Sequence, residues 1–385
     1  MTDQMKQAKQ QALSLADRYL AAGPACAPWN IESYRKGGPQ KWNYVDGCMM
    51  LAYLTLSRVL GEKKYGAFAE AYMDRFVQED GRVRTIAEED RRLDDINGAK
   101  TFLPLYELTG KPKYRKAAGH IYGFLREFPR TREGNFWHKR VYPNQVWLDG
   151  LYMAMPFYME YETKYGGGKN CGDIFTQFAT VRRRMRDEKT GLYYHGYDES
   201  RASRWSDPQT GCSKSFWLRS IGWLAAALAD TLEKTDRQAC GEGFRMLKDM
   251  LNDLVDSLLP YQEPGGMFYQ VADRASDEKN YPETSGTCMI AYGILKGVRL
   301  GFLPERYRAC GEKAFFGTMK RYFRVRNGEP SLGGICLVGG LGRPDSRDGT
   351  PAYYYSEPVV ESDGKGVAPF LLAFAELLQM PGNRG

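Results

Sequence analysis

Six stretches of the chain are apolar on most sides, and each begins beside a glycine. They are Asp46-Gly47-Cys48-Met49-Met50-Leu51-Ala52-Tyr53-Leu54, Asn97-Gly98-Ala99-Lys100-Thr101-Phe102-Leu103 and Leu148-Asp149-Gly150-Leu151-Tyr152-Met153-Ala154-Met155. Ile221-Gly222-Trp223-Leu224-Ala225-Ala226-Ala227-Leu228, Ser285-Gly286-Thr287-Cys288-Met289-Ile290-Ala291-Tyr292 and Lys365-Gly366-Val367-Ala368-Pro369-Phe370-Leu371-Leu372 complete the set. Successive glycines lie 51, 52, 72, 64 and 80 residues apart, room in each step for two helices and their loops. Between the apolar runs lie amphipathic stretches, Tyr114–Phe128, Ile174–Asp187, Gly243–Leu259 and Tyr307–Phe323 among them, with apolar residues at i, i+3, i+4. A helix apolar all round must be buried all round, whereas an amphipathic one covers it. The pattern predicts an all-α (α/α)6 barrel, six inner helices ringed by outer ones, forming a single domain over residues 1–385. Glycine lets inner helix starts crowd together. Parallel inner helices would bring six N-termini, with their partial positive charge, to one mouth that favours anions.

Composition narrows the function classes. The 385 residues are 43% hydrophobic and 26% charged, a globular mix, with no apolar run long enough to span a bilayer. Lys and Arg exceed Asp and Glu by 54 to 47, and the densest basic run, Arg182-Arg183-Arg184, reads as a solvated helix face. No nucleic-acid or membrane partner is expected. The opening Met1-Thr2-Asp3-Gln4 lacks a signal-peptide layout, which predicts a cytoplasmic protein. The eight cysteines include no C-x-x-C pair, so free thiols are expected. His120, His138 and His195 lack metal-ligand spacing, and no phosphate-binding glycine motif occurs, so neither metal nor organic cofactor is expected.

The tryptophans and rare polar residues gather at three of the six steps. Trp29 and Trp42 precede the first, Trp137 and Trp147 the third, Trp205 and Trp217 the fourth, and Trp223 opens the fourth. Flat indoles at a concave mouth suit sugar rings, although each also suits a core. The same loops carry His138, Lys139, His195 and Arg219, placed to meet a carboxylate-bearing sugar. Arg219 offers a two-pronged grip on that carboxylate, against the alternative of a salt bridge to a loop. Asp46, Asp94, Asp95 and Asp149 stand at inner helix starts, as candidate acids and bases or as caps. A general acid there needs burial to outweigh the pKa-lowering helix dipole.

The segment Phe136-Trp137-His138-Lys139-Arg140-Val141-Tyr142-Pro143-Asn144-Gln145-Val146-Trp147-Leu148-Asp149-Gly150-Leu151-Tyr152-Met153 resembles the signature of glycoside hydrolase family 105, the unsaturated rhamnogalacturonyl hydrolases. Leu93-Asp94-Asp95-Ile96-Asn97, Pro282-Glu283-Thr284-Ser285-Gly286-Thr287 and the tail Tyr353–Val367 resemble the same family, over a span from about Trp42 to the C-terminus. The resemblance implies an enzyme that removes a terminal 4,5-unsaturated uronic acid from lyase-cut pectin fragments. It implies hydration of the enol ether, with Asp149 as proton donor and Asp94 as second carboxylate. Tyr44, His138, Lys139, Trp147, His195, Trp217, Arg219 and Trp223 correspond to substrate contacts, and the aromatic pattern adds Trp42. Asn97-Gly98-Ala99-Lys100 departs from the family wording, which leaves open whether Asp94 or Asp95 faces the site. The remaining readings are a glucuronyl hydrolase for glycosaminoglycan disaccharides, a sugar epimerase using His138 and His195, and a non-catalytic sugar-binding barrel. The expected partner is the oligosaccharide alone, with a monomer or weak homo-oligomer as assembly.

Overall fold

A computed structural model describes residues 1–37, 39–342 and 347–383. The six apolar runs form helices Tyr44–Leu60, Leu93–Thr101 continuing into Phe102–Thr109, Leu148–Tyr161, Leu218–Lys234, Thr284–Arg299 and Gly364–Gln379. Each packs on the next, and the sixth packs back on the first, so the ring closes. Outside them lie Asp3–Ala22, Lys63–Met73, Pro112–Arg126, Cys171–Met185, Gly241–Leu258 and Arg308–Tyr322. The (α/α)6 barrel expected from the alternation is therefore the fold. The amphipathic helices start and stop within about three residues of the predicted stretches. Arg182-Arg183-Arg184 does lie on an outer helix, paired with Asp253 and Glu133.

The glycines act by close approach. A Cβ on Gly47 would stand 2.8 Å from the Cα of Gly98, one on Gly222 3.0 Å from the carbonyl oxygen of Gly286, and one on Gly150 2.7 Å from Leu93. Starts therefore meet starts, and the inner helices run parallel with their N-termini at one mouth. Their first N–H groups cannot be satisfied within the helix. Loops supply the acceptors: Leu93 donates to His138 O, Leu148 to His195 O, Leu218 to Gln270 O, Thr284 to Gly334 O and Gly364 to Trp29 O. The mouth is thus stitched by backbone hydrogen bonds between loops and helix starts.

Two local features depart from a plain helical toroid. The second inner helix opens as nine residues of 3-10 helix, Leu93–Thr101, before its α-helical half. That is long for a 3-10 segment, whose hydrogen-bond geometry is poorer. Three short antiparallel ribbons also occur among the described residues: Gln145–Trp147 with Gly196–Asp198, Phe323–Arg326 with Glu329–Leu332, and Ile335–Cys336 with Val359–Val360. All eight cysteines are free thiols. No helix among the described residues is long and apolar enough to cross a membrane.

Candidate active site

The third inner helix begins directly from the ribbon Gln145–Trp147, and Asp149 is its second residue. Trp147 pairs with Gly196 in the ribbon, and Leu148 N–H donates to the carbonyl of His195. The fold therefore sets His195 beside Asp149, with Nε2 at 3.2 Å from the Asp149 Oδ2. The Nδ1 of His195 is 2.7 Å from the hydroxyl of Tyr354. Burial holds the Tyr354 phenol far above its ordinary pKa, so it stays protonated.

Asp94 reaches the same region from the second inner helix start. Its Oδ2 lies 2.6 Å from Lys139 Nζ and its Oδ1 3.7 Å from His138 Nε2. Burial, the largest single influence, pushes this carboxyl up, but Lys139, His138 and Arg92 together pull it below the usual range. Burial drives His138 the other way, down to about 4, with Asp94 opposing. At neutral pH Asp94 is therefore a carboxylate and His138 a neutral imidazole. Asp95 turns away to Arg92, accepting from its Nε at 3.0 Å and a terminal nitrogen at 3.4 Å. The geometry thus brings Asp94, rather than Asp95, together with Lys139 and His138.

The aromatic residues serve differently from the expectation of open sugar platforms. Trp147 stacks against both His138 and Tyr142, with ring centroids 4.3 and 5.2 Å away. Trp217 stacks on Tyr354 and packs against His195, and Trp223 stacks on Tyr152 at 4.6 Å. All three are buried, with rings already packed by protein, and Trp147 and Trp217 are rigid walls that hold the two histidines. Trp42, expected to contact substrate, belongs to the core. It lies between Phe76 and Phe102 and donates its N–H to Asp95 O at 2.7 Å. Its six-membered ring fills the space a side chain on Gly98 would need.

Arg219 also differs from its expected two-pronged role. Its Nε donates to Ser285 Oγ at 2.7 Å, one terminal nitrogen donates to Cys336 O, and Glu283 lies 3.6 Å away. Glu283 caps the fifth inner helix and also accepts from Cys336 N–H. The fork is thus spent on protein partners, and the other terminal nitrogen makes no hydrogen bond among the described residues. Tyr44 stands between the fields of Arg219 and Asp94, and its ring meets Trp223 edge-on. Asp46, weighed as an acid or a cap, is locked inside by Trp29, Asn43 and Tyr72.

Sequence reasoning missed Tyr354 and Glu283 as members of this cluster. The run Tyr353-Tyr354-Tyr355 was visible, but its reach to a histidine 159 positions earlier was not. Four buried polar atoms here make no hydrogen bond among the described residues: Asp149 Oδ2, His195 Nε2, His138 Nδ1 and Trp217 Nε1. Buried polar atoms are seldom left so, and their concentration marks a ligand site. On the Lys139 side a cavity of about 510 Å³ is lined by Arg92, Lys139, Arg140 and Tyr142 together with the acidic Glu89 and Asp90. Among the described residues no three His, Cys, Asp or Glu side chains are grouped to hold a metal ion.

Known proteins match this arrangement. The family model described as Glycosyl Hydrolase Family 88 matches residues 27–381. A Clostridium structure, described as a C. acetobutylicum glycoside hydrolase from family 105, superposes with a TM-score of 0.88 at 38% identity, covering 95% of this chain and 98% of its own. The chain belongs to the family 88/105 glycoside hydrolases. These hydrolases act on unsaturated uronates. The unsaturated rhamnogalacturonyl hydrolase YesR of Bacillus subtilis is 27% identical over 226 residues, 55% of this chain and 62% of that protein. The unsaturated glucuronyl hydrolase of Bacillus sp. GL1 shares the fold, with a TM-score of 0.71 at 16% identity, covering 99% of this chain and 98% of its own.

Proposed function

We propose that this glycosidase removes the terminal 4,5-unsaturated uronic acid from lyase-generated rhamnogalacturonan oligosaccharides, with Asp149 as the general acid. The observation that carries the assignment is the contrast between the two carboxyl groups. Lys139 holds Asp94 as an anion, so it has no proton to give, whereas Asp149 Oδ2 faces His195 and pairs with no lysine or arginine among the described residues. Two carboxyl groups set apart by their surroundings take separate roles. Asp149 donates its proton to C4 of the enol ether. Positive charge builds at C5, water adds there, and its released proton returns to Asp149. The hemiketal so formed opens: its C5 hydroxyl becomes a ketone as the bond from C5 to the ring oxygen breaks, and the ring oxygen keeps that bond pair and takes up a proton. The hemiacetal this leaves at C1 collapses to an aldehyde, and the remaining sugar departs with the glycosidic bond pair and a proton as its free hydroxyl.

The environment serves this sequence of steps. Asp94 accepts a hydrogen bond from the water or a ring hydroxyl, and its negative charge favours the developing cation. The free end of Arg219 and the inner helix N-termini favour the uronate carboxylate. The likeness to YesR supports rhamnogalacturonan as the source of the substrate.

The test is loss of the ultraviolet absorbance of the conjugated uronate when the protein meets disaccharides from rhamnogalacturonan lyase or from glycosaminoglycan lyase. The rhamnogalacturonan product should be consumed faster, and Asp149→Asn should fold normally while losing at least about 10³-fold in turnover. A variant retaining substantial activity overturns Asp149 as the acid. Faster use of the glycosaminoglycan product overturns the substrate class.

A further inference from the structure

A large cavity lies at the other end of the barrel, away from both carboxylates of the mouth. It has a volume of about 660 Å³ and is lined by the C-terminal halves of all six inner helices. Its deep wall is apolar, with Leu51, Leu54, Pro104 and Pro156. Its rim is charged and largely self-paired. Lys164 bridges Glu107 and Glu160, Lys234 reaches Glu160, and Lys296 bridges Asp230 and Glu233.

Lys100 breaks this pattern. It comes from the second inner helix, is buried, and lines the cavity, yet no carboxylate among the described residues lies within salt-bridge distance of it. Its ammonium makes one hydrogen bond, to Tyr152 O at 3.2 Å, and rests 3.1 Å from the centroid of the Tyr152 ring. A buried ammonium without a counter-ion is costly. The C-terminal ends of the inner helices do not serve as one. Tyr152 is nine residues before the end of its helix, about 13 Å by helical rise, and the helix-end field fades within a turn.

We propose that this rear cavity binds a small organic monocarboxylate, its carboxylate paired with Lys100 and its hydrocarbon body against Leu51, Leu54, Pro104 and Pro156. The site goes beyond the glycosidase reading and does not depend on it. A pocket of this size, with an apolar wall, a self-paired charged rim and one buried cation that has no carboxylate partner among the described residues, has the build of a small-molecule site. Phosphate would fit the charge but leave the apolar wall unused.

Protonation supports the same arrangement. Burial pushes the Lys100 amine down to about 7, against the attraction of Asp230 and with the repulsion of Lys296. The groups around it are Cys48 on the first inner helix, Tyr152 on the third, Asp230 on the fourth and Lys296 on the fifth. Burial keeps Cys48 and Tyr152 protonated and neutral. Above neutrality the free amine is therefore uncharged in part, and a carboxylate that binds must draw in a proton.

The test is calorimetric titration of the full chain with hexanoate, hexanamide and inorganic phosphate. Hexanoate should bind, hexanamide and phosphate should not, and Lys100→Met should weaken hexanoate by about tenfold or more. At pH 8, hexanoate binding to the unaltered protein should take up protons, seen as a heat that changes between buffers of different ionisation enthalpy. This second measurement decides the matter even if Lys100→Met fails to fold. Absence of hexanoate binding, equal binding of hexanamide, equal binding to a folded Lys100→Met, or no proton uptake overturns the proposal. Tighter binding of phosphate than hexanoate overturns the organic ligand. No outcome depends on turnover, so failure here leaves the reading of the mouth untouched.

Discussion

Gly98→Ala puts the crowding of the helix starts to a direct test. A Cβ at this position would stand 2.2 Å from Trp42 Cζ2 and 2.6 Å from its Cη2. Atoms do not approach so closely, and the indole has little freedom to retreat. It is wedged between Phe76 and Phe102 and tied through its N–H to Asp95 O. Overpacking of this kind costs about 1–3 kcal/mol. Losing the indole hydrogen bond adds about 1 kcal/mol. Alanine returns up to about 1 kcal/mol through its better helix propensity, so destabilisation by about 1–3 kcal/mol remains. The measurement is urea unfolding of four proteins: unaltered, Gly98→Ala, Trp42→Phe and the double variant. Trp42→Phe removes the ring atoms that would clash. The double variant should therefore lie within about 1 kcal/mol of Trp42→Phe alone, well short of the sum of the single effects. Additive losses would refute the contact as the cause, as would a Gly98→Ala protein as stable as the original.

Two further outcomes concern charge. Lys139→Met removes the nearest cation from Asp94, so burial should raise that carboxyl, and the acid limb of the kcat/KM profile should move up by about one pH unit or more. An unmoved limb would exclude Asp94 from the pH dependence of turnover. Asp46 is held at about 6, raised by burial against the hydrogen bonds of Tyr72, Trp29 and Asn43. Between the ordinary carboxyl pKa and that value the folded state binds more protons than the unfolded one, so this group's contribution to stability falls as pH rises through the window. The shift corresponds to about 3 kcal/mol at most, and Asp46→Asn should gain up to this much relative to the unaltered protein between pH 4 and 7 in denaturant titrations. A stability difference constant across that range would contradict the assignment.

The barrel was legible because its signal is local. An all-round apolar helix beside an amphipathic one repeats six times, and each glycine stands where helix starts touch. The place of Asp149 at a helix start was legible because an indole and a glycine flank it where the apolar run begins. The division of labour between Asp94 and Asp95 was not, since it turns on the facing of two adjacent side chains toward Lys139 and Arg92. Trp42 and Trp147 share a residue type and a place before an inner helix, yet one braces the core and the other holds His138. Only contacts far along the chain separate them. The same holds for Arg219, whose partners Ser285 and Cys336 are 66 and 117 positions away.

The closing of the ring carries a consequence for how the chain matures. The first inner helix, Tyr44–Leu60, packs on the last, Gly364–Gln379, and the opening helix Asp3–Ala22 packs there as well. Tyr354, whose hydroxyl meets the His195 imidazole beside Asp149, arrives with that same late segment. Such distant pairings form slowly. During synthesis on the ribosome, most hairpins emerge while the seam between earliest and latest segments is still open. Catalytic competence should therefore appear abruptly, once the last inner helix has joined the first, rather than accumulate as the polypeptide lengthens.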